Sequence, residues 1–168
     1  MLYKSLLLPL FDYCDVCLNG MSRGNCDKLQ RMQNTACRII LQAERFTPRL
    51  DMHQALGLEF LSDRRSQHVS VQAYKCVHDL APSNLNDLFE NTRQSHGAIT
   101  RSQANNALRV PYSYRRAGER RFVVRGSINW NGLSQDVKDS PSLEAFKSQI
   151  RTTGPIHRIN DQLNDRIH

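Results

Sequence analysis

The sequence predicts a mainly α-helical protein: a helical bundle, then a basic irregular segment with short extended pieces, then a small C-terminal helical subdomain. Apolar residues recur at helical spacing through the first 90 residues, composition turns polar and then arginine-rich after residue 90, and a second helical pattern follows residue 127. With 168 residues, 39% of them hydrophobic and 23% charged, the chain is long enough for a core, and its composition argues against global disorder. We expect boundaries at 1–90, 91–126, 127–153 and 154–168.

The first region, residues 1–90, opens with a short helical pattern that Pro9 kinks or ends. Its leucines at helical spacing are Leu2, Leu6, Leu7 and Leu10. Residues 20–25 are predicted to form a loop because glycine, serine and asparagine dominate there. The clearest helix covers residues 27–43. Its predicted apolar face consists of Leu29, Met32, Ala36, Ile39, Ile40 and Ala43.

Three more helices are predicted before residue 90. Pro48 ends the preceding helix, and a short one over residues 52–56 ends at Gly57. A long helix then covers residues 62–78. Its predicted buried face consists of Val69, Ala73, Cys76, Val77 and Leu80. Pro82 is placed to start a short helix that turns Leu85, Leu88 and Phe89 inward.

The remaining segments differ in character. Residues 91–106 are mostly polar and predict a surface loop, whereas residues 108–114 alternate apolar and polar side chains, and Pro111 confines that extended piece to an edge. Further along, Ser140 and Pro141 predict a helix start. Apolar residues that need burial in this part are Phe122, Val123, Ile128, Trp130, Leu133, Leu143, Phe146 and Ile150. Trp130 is expected to anchor the small subdomain, and residues 154–168 to fray.

The net charge of +7 attracts polyanions, and two groups of basic residues are candidates for contacting them. The first is a stripe on the helix over residues 27–43, with spacings of three, seven and seven. Its members are Lys28, Arg31, Arg38 and Arg45. Such a stripe can follow phosphates along a backbone. A solvated helix face is the alternative, and the stripe alone favours it.

The second group is an arginine cluster without lysine, in which Glu119 is the single acid. It consists of Arg109, Arg115, Arg116, Arg120, Arg121 and Arg125, interleaved with Tyr112, Tyr114 and Phe122. Arginine offers a fixed fork of donors to phosphate, and aromatic rings stack on unpaired bases. This cluster predicts nucleic-acid binding, with internal ion pairs or an irregular basic loop as the alternative.

Metal and catalytic motifs give no positive prediction. Cys14 and Cys17, with Cys26, have zinc-like spacing, but a fourth ligand would have to come from a distant histidine, so we expect small core residues and no metal or cofactor. No two aspartates are adjacent, and neither a P-loop nor a His-Glu-x-x-His motif is present. The chain is therefore not expected to be an enzyme on its own.

Cysteine usage and hydropathy bear on the compartment. Five cysteines without a regular framework fit a reducing environment, and no stretch approaches the ~20 apolar residues that span a bilayer. We expect an intracellular protein, cytoplasmic or nuclear, without a membrane partner.

Several short motifs occur in a characteristic order along residues 2–151. They are Leu2-Tyr3 with Asp12-Tyr13-Cys14, Leu29-Gln30-Arg31-x-Gln33-Asn34-x-Ala36, Leu56-Gly57-Leu58, Tyr74-Lys75, Leu80-Ala81-Pro82, Arg109-Val110-Pro111, Trp130-Asn131 and Pro141-Ser142-Leu143 with Phe146-Lys147. In this order they resemble the thumb and post-thumb region of reverse transcriptases from non-LTR, jockey-like LINE retrotransposons. The sequence departs from that family at Cys17, where a tryptophan-containing segment is usual, and at Gly132 and Ser134.

The resemblance implies a noncatalytic C-terminal fragment of an RNA-directed DNA polymerase, whose first region is thumb-like. Its implied partners are RNA or an RNA/DNA template-primer, together with the palm and fingers domains that this sequence lacks. A helical protein-interaction module is the alternative, in which apolar faces around Leu7, Phe11 and Leu88 pack on other polymerase domains or on another chain.

Overall fold

The computed structural model describes residues 2–18, 20–91 and 106–153, and these are mainly α-helical. Within those ranges there is no strand, only an isolated antiparallel bridge between Asn91 and Leu108. The same ranges contain no helix with the length and apolar character needed to cross a membrane. The chain forms two compact units, Met1–Arg65 and Ser66–His168.

The first unit begins with a π-helical turn, Tyr3–Leu7, followed by α1 (Leu8–Asp12) and α2 (Asp15–Leu18). Pro9 lies in the first turn of α1, where a missing N–H costs no helical hydrogen bond. Longer helices follow: α3 (Arg23–Leu41), α4 (Arg49–Leu56) and α5 (Leu61–Val77), the last of which contains the boundary between the units.

Helix α3 starts earlier than the sequence pattern indicates. Ser22 has the extended backbone of an N-cap, so Gly24 and Asn25, which we expected in a loop, belong to the first turn. At the other end Gln42 takes a left-handed conformation with φ of 50° and stops the helix at Leu41. The helix therefore ends two residues before the predicted limit at Ala43.

The buried face of α3 also differs from the predicted apolar face. Met32 and Ile39 are 59% and 72% exposed, whereas Gln33, Asn34 and Cys37 are buried. The side-chain amide of Gln33 donates a 3.1 Å hydrogen bond to the carbonyl oxygen of Glu59, a residue in the loop between α4 and α5. Buried amides are tolerated when they are hydrogen-bonded, and a hydrophobic pattern does not register such bonds.

A polar network ties α3 to α4. The Nε2 atom of Gln30 donates to Asn34 Oδ1 at 3.0 Å, and the same oxygen lies 2.9 Å from Nε2 of the buried His53. His53 in turn stacks on Phe60, with ring centroids 4.3 Å apart. Beside this network lies the apolar core of the first unit, formed by Tyr3, Cys37, Met52, Leu56 and Leu58.

Two further features fix the edges of the first unit. Helix α4 ends at Gly57, as predicted, with φ of 57° in the left-handed region that favours glycine. The guanidinium of Arg64 donates hydrogen bonds to both carboxylate oxygens of Asp12, from Nε at 2.6 Å and from Nη2 at 2.7 Å. This bidentate pair joins the start of α5 to the end of α1.

In α5 the predicted buried face is largely confirmed. Val69, Ala73 and Cys76 are buried, and Val77 packs against the core of the second unit. The prediction is wrong for Leu80, which is 59% exposed. Asp79, with φ of 55°, ends the helical path just before it and turns the chain outward.

The second unit continues through short helices. These are α6 (Ser83–Asn86), α7 (Arg116–Glu119), α8 (Phe122–Asn131), α9 (Gln135–Lys138) and α10 (Leu143–Thr153). The extended piece expected at residues 108–114 contributes only the bridge at Leu108. The core consists of Tyr74, Leu108, Trp130, Leu133, Val137, Phe146 and Ile150. The stripe of Phe146 and Ile150 faces this core as predicted, with Leu143 packed at its margin.

The N-cap of α10 is Ser142 rather than the expected Ser140. Ser142 Oγ accepts a 3.2 Å hydrogen bond from the N–H of Ala145, three residues on, which is the N-cap geometry. Ser140, the predicted cap, is buried and donates from Oγ to the carbonyl oxygen of Val137 at 2.6 Å. The helix therefore starts two residues later than the Ser-Pro pair indicated. Most of the surface loop expected at 91–106 and the fraying expected at 154–168 lie outside the described residues.

Candidate nucleic-acid interface

The basic stripe of the first unit is shorter than the sequence indicates. Lys28 and Arg31 are exposed on α3, and Arg38 is half-buried, its Nε atom 3.4 Å from the carbonyl oxygen of Glu44. Arg45 does not belong to the stripe, because the left-handed Gln42 ends the helix before it. Its guanidinium lies 5.9 Å from the ring centroid of Phe46 instead. Three of the four predicted cations therefore share one helix surface.

An open pocket of about 250 Å³ lies in the first unit, beside this stripe. It is lined by Asp27, Gln30, Arg31, Asn34 and Arg49. Arg31 was a predicted site residue, but sequence reasoning missed the others. Arg49 is brought to α3 by the chain reversal between α3 and α4, and helical spacing carries no signal for such a contact.

The arginine cluster of the second unit surrounds α7. Tyr112 and Tyr114 are 86% and 89% exposed, and Arg115, Arg120 and Arg121 are exposed as well. Across residues 2–18, 20–91 and 106–153, none of these three guanidinium groups forms an ion pair. The Nε atom of Arg121 donates to the carbonyl oxygen of Gly118 at 3.1 Å, which leaves its terminal nitrogens available.

Other members of the cluster are used by the fold itself. Arg109 forms an exposed ion pair with Glu90 at 2.7 Å. Arg125 is half-buried on α8 and interacts with other residues of the fold. Phe122 packs edge-on against Phe89, with ring centroids 5.3 Å apart, so it is not a free stacking surface. Arg116 begins α7, and the structure does not describe its side chain.

Trp130 lies in the core of the second unit. It is 1% exposed, and its indole N–H donates a 2.9 Å hydrogen bond to the carbonyl oxygen of Asn106. The centroid of its ring lies 6.4 Å from the ring centroid of Tyr74 and 6.3 Å from that of Phe146. A side chain so enclosed positions the chain around it and cannot itself touch a ligand.

The candidate interface of the second unit therefore consists of two exposed tyrosines and three exposed arginines. Both kinds of group bind nucleic acid without reading sequence: arginine through phosphate oxygens, and tyrosine through the faces of unpaired bases. The first unit adds three cations in a row on α3. No family model, curated protein or solved structure matches this chain.

Proposed function

We propose that this chain is a noncatalytic C-terminal region of a LINE-type reverse transcriptase and that it holds RNA or a template-primer by its backbone. The observation that carries the proposal is the exposure of Tyr112 and Tyr114 beside Arg115, Arg120 and Arg121. Two almost fully exposed rings in a segment whose exposed guanidinium groups form no ion pair within the described residues suit a single-stranded nucleic acid, whose bases are available for stacking.

The geometry of these arginines supports phosphate binding rather than internal pairing. A guanidinium held in an ion pair offers fewer donors to a ligand, as Arg109 does beside Glu90. Within the described residues Arg115, Arg120 and Arg121 have no such acid. Apart from Nε of Arg121, which donates to the carbonyl oxygen of Gly118, their donors are open to water and therefore to phosphate oxygens.

The stripe on α3 supports a second contact. Lys28, Arg31 and Arg38 repeat at helical spacing on one surface, so their charges can meet successive phosphates. In the proposed function this phosphate contact is the role of a thumb helix, which touches the nucleic-acid backbone without reading bases.

The alternative function is a helical protein-interaction module. It is favoured by a row of exposed apolar residues at the start of the chain, in which Leu2, Leu6 and Leu10 are 77%, 62% and 71% exposed and Tyr13 is 76% exposed. These residues are spaced by four, four and three, so they share one side of a helical path. Palm and fingers domains of the parent polymerase are the proposed partners.

The salt dependence of RNA binding tests the proposed function. A fluorescently labelled single-stranded RNA is titrated with the protein at several salt concentrations, and the logarithm of the binding constant is plotted against that of the salt. Each phosphate contact contributes a slope of about −0.7 on single strands, so replacing Arg115, Arg120 and Arg121 with alanine should reduce the slope by about 2. Affinity should fall by a similar factor for every RNA sequence.

Arg109→Ala is the matched control, because this arginine belongs to the same segment but is paired with Glu90. It should weaken binding much less than the triple variant. The proposal fails if the wild-type protein does not bind RNA, if its binding ignores salt, or if the triple variant binds as well as Arg109→Ala does. In that case, loss of binding to a palm and fingers fragment in Leu6→Ser/Leu10→Ser would favour the interaction module.

A further inference from the structure

The pocket between α3 and α4 is lined by hydrogen-bond donors and by one carboxylate. Arg31 and Asp27 are four residues apart on α3, a spacing that commonly gives an ion pair. In the described part of the chain neither forms one, and Arg49 has no acidic partner there either. Two guanidinium groups and a separate carboxylate therefore face the same space.

Asn34 adds a donor whose direction is fixed. Its Oδ1 atom accepts from Gln30 Nε2 at 3.0 Å and lies 2.9 Å from His53 Nε2. The oxygen already has two polar neighbours, so the amide nitrogen is the group of this 7%-exposed side chain that is available to the pocket it lines. Gln30 is held in turn, because its Oε1 accepts the N–H of Leu61 at 3.0 Å.

A pocket of about 250 Å³ is slightly smaller than the ~300–1,000 Å³ of sites that enclose drug-sized molecules. Its open, polar lining suits a small charged unit of a longer molecule. Donors from Arg31, Arg49 and Asn34 match the oxygens of one phosphate. The carboxylate of Asp27 repels a second anion but accepts a hydrogen bond from a neighbouring hydroxyl.

We infer that this pocket holds one ribonucleotide unit, with its 3′-phosphate on Arg31 and Arg49 and its 2′-hydroxyl donating to Asp27. The inference rests on the proposed function and deepens it, because a 2′-hydroxyl contact makes this part of the chain select RNA over DNA. In nucleic acid the 3′-phosphate and the 2′-hydroxyl sit on adjacent sugar carbons, so one small pocket can contact both.

The test compares two mononucleotides on the full chain. Adenosine 3′-monophosphate, 2′-deoxyadenosine 3′-monophosphate and inorganic phosphate are titrated separately, and binding is followed by amide and side-chain NMR shifts. Shifts should centre on Arg31, Asn34 and Arg49. We expect the ribonucleotide to bind about tenfold more tightly than the deoxynucleotide, which is the lower end of what a hydrogen bond to a charged group contributes.

Substitutions at exposed helix positions assign the roles. Arg31→Gln and Arg49→Gln should each weaken the ribonucleotide about tenfold, whereas Arg23→Gln, also exposed on α3 but outside the pocket, should not. Asp27→Ala should make the ribo and deoxy forms equal and should strengthen the binding of inorganic phosphate. This opposite pair of effects cannot come from simple loss of fold.

Equal affinity of the wild-type protein for the ribo and deoxy forms would overturn the inference, as would an Arg23→Gln variant as weak as Arg49→Gln, or the absence of any binding. These outcomes differ from failure of the proposed function. If the pocket fails while RNA binding still depends on Arg115, Arg120 and Arg121, only the inference is lost. If the ribonucleotide binds but polymeric RNA does not, the proposed function is lost and the pocket is a mononucleotide site.

Discussion

The side-chain amide of Asn131 pairs with both backbone groups of Leu108. Its Oδ1 accepts the N–H of Leu108 at 2.8 Å, and its Nδ2 donates to the carbonyl oxygen of Leu108 at 2.8 Å. The Asn131 amide thus satisfies both backbone groups of the buried Leu108, as a neighbouring β-strand would. On its other side Leu108 has only the isolated bridge to Asn91. Together with the bond from Trp130 to Asn106, the Asn131 amide fastens the chain entering the arginine cluster to α8.

Asn131→Asp should therefore destabilise the second unit by about 1–3 kcal/mol, because a carboxylate cannot donate to the carbonyl of Leu108 and places an acceptor against it. Urea unfolding followed by far-UV circular dichroism measures the change. Asn84→Asp, an exposed position in the same unit, is the matched control and should stay within about 0.5 kcal/mol of wild type. Equal stability of the two variants would contradict this role of Asn131.

Phe146 should be among the most costly core positions to truncate. It is fully buried and stacks on Tyr74, with ring centroids 4.2 Å apart. Phe146→Ala should lower the free energy of unfolding by about 3–5 kcal/mol, since it removes the transfer free energy of the ring and leaves a cavity. Phe146→Leu, measured in the same urea titration, should recover more than half of the loss. A cost below 1 kcal/mol would place Phe146 outside the core.

Two glycines in helices should respond to alanine in opposite ways. A Cβ on Gly126, which is buried in α8, would lie 2.8 Å from Cζ of Phe89, so Gly126→Ala should destabilise by about 1–3 kcal/mol through overpacking. A Cβ on Gly24 of α3 would meet nothing within 4 Å, and Gly24→Ala should stabilise by up to about 1 kcal/mol. Thermal unfolding of the two variants decides the signs, and a gain at both positions would show that Phe89 moves freely.

Acidification should weaken the first unit through His53. Burial holds the pKa of His53 below its ordinary value of about 6.5, and hydrogen bonds to the carbonyls of Leu58 and Glu59 oppose this only in part. The unfolded chain therefore takes up a proton at higher pH than the folded chain does. The stability from neutral His53 is complete above about pH 6.5 and is lost as pH falls from there through the folded-state pKa.

The pH effect is checked by urea unfolding at several values between pH 7.5 and pH 5. His53→Gln retains hydrogen-bonding capacity but does not titrate, so it should flatten the decline of stability over this range. A wild-type protein that gains stability on acidification over this interval would show that His53 is charged in the fold.

The positions of α3, α4, α5 and α10 were predictable from the sequence, whereas α7 and the first turn of α8 fall in the segment 91–126 that we expected to be irregular. Burial was predictable only where it follows the spacing of apolar residues. The apolar spacing of Val69, Ala73 and Cys76 identified the inner face of α5. The same reasoning was wrong for α3, where Gln33 and Asn34 are inside and Ile39 is outside. Their burial depends on hydrogen bonds to partners 26 and 19 residues away, and no local pattern encodes those partners.

The candidate interface, too, was predictable from the sequence only in part. Residue type was enough to identify the arginine cluster, but not to separate Arg115 and Arg120, which are exposed, from Arg109, which is paired. Arg45 does not share the helix surface of the stripe, because Gln42 adopts a left-handed conformation that non-glycine residues seldom take and so ends α3 before Arg45. Asp27 and Arg49 meet at one pocket only through the reversal of the chain between their helices.

The burial of Trp130 makes it a natural optical probe of one half of the molecule. It is the only tryptophan in the chain and belongs to the unit Ser66–His168, so tryptophan fluorescence, excited selectively over that of tyrosine, reports the unfolding of that unit alone. Circular dichroism sees the helices of both units. A gap between the two transition midpoints would therefore give the independent stability of Met1–Arg65 without any label, whereas coincident midpoints would mean that the units unfold as one cooperative block.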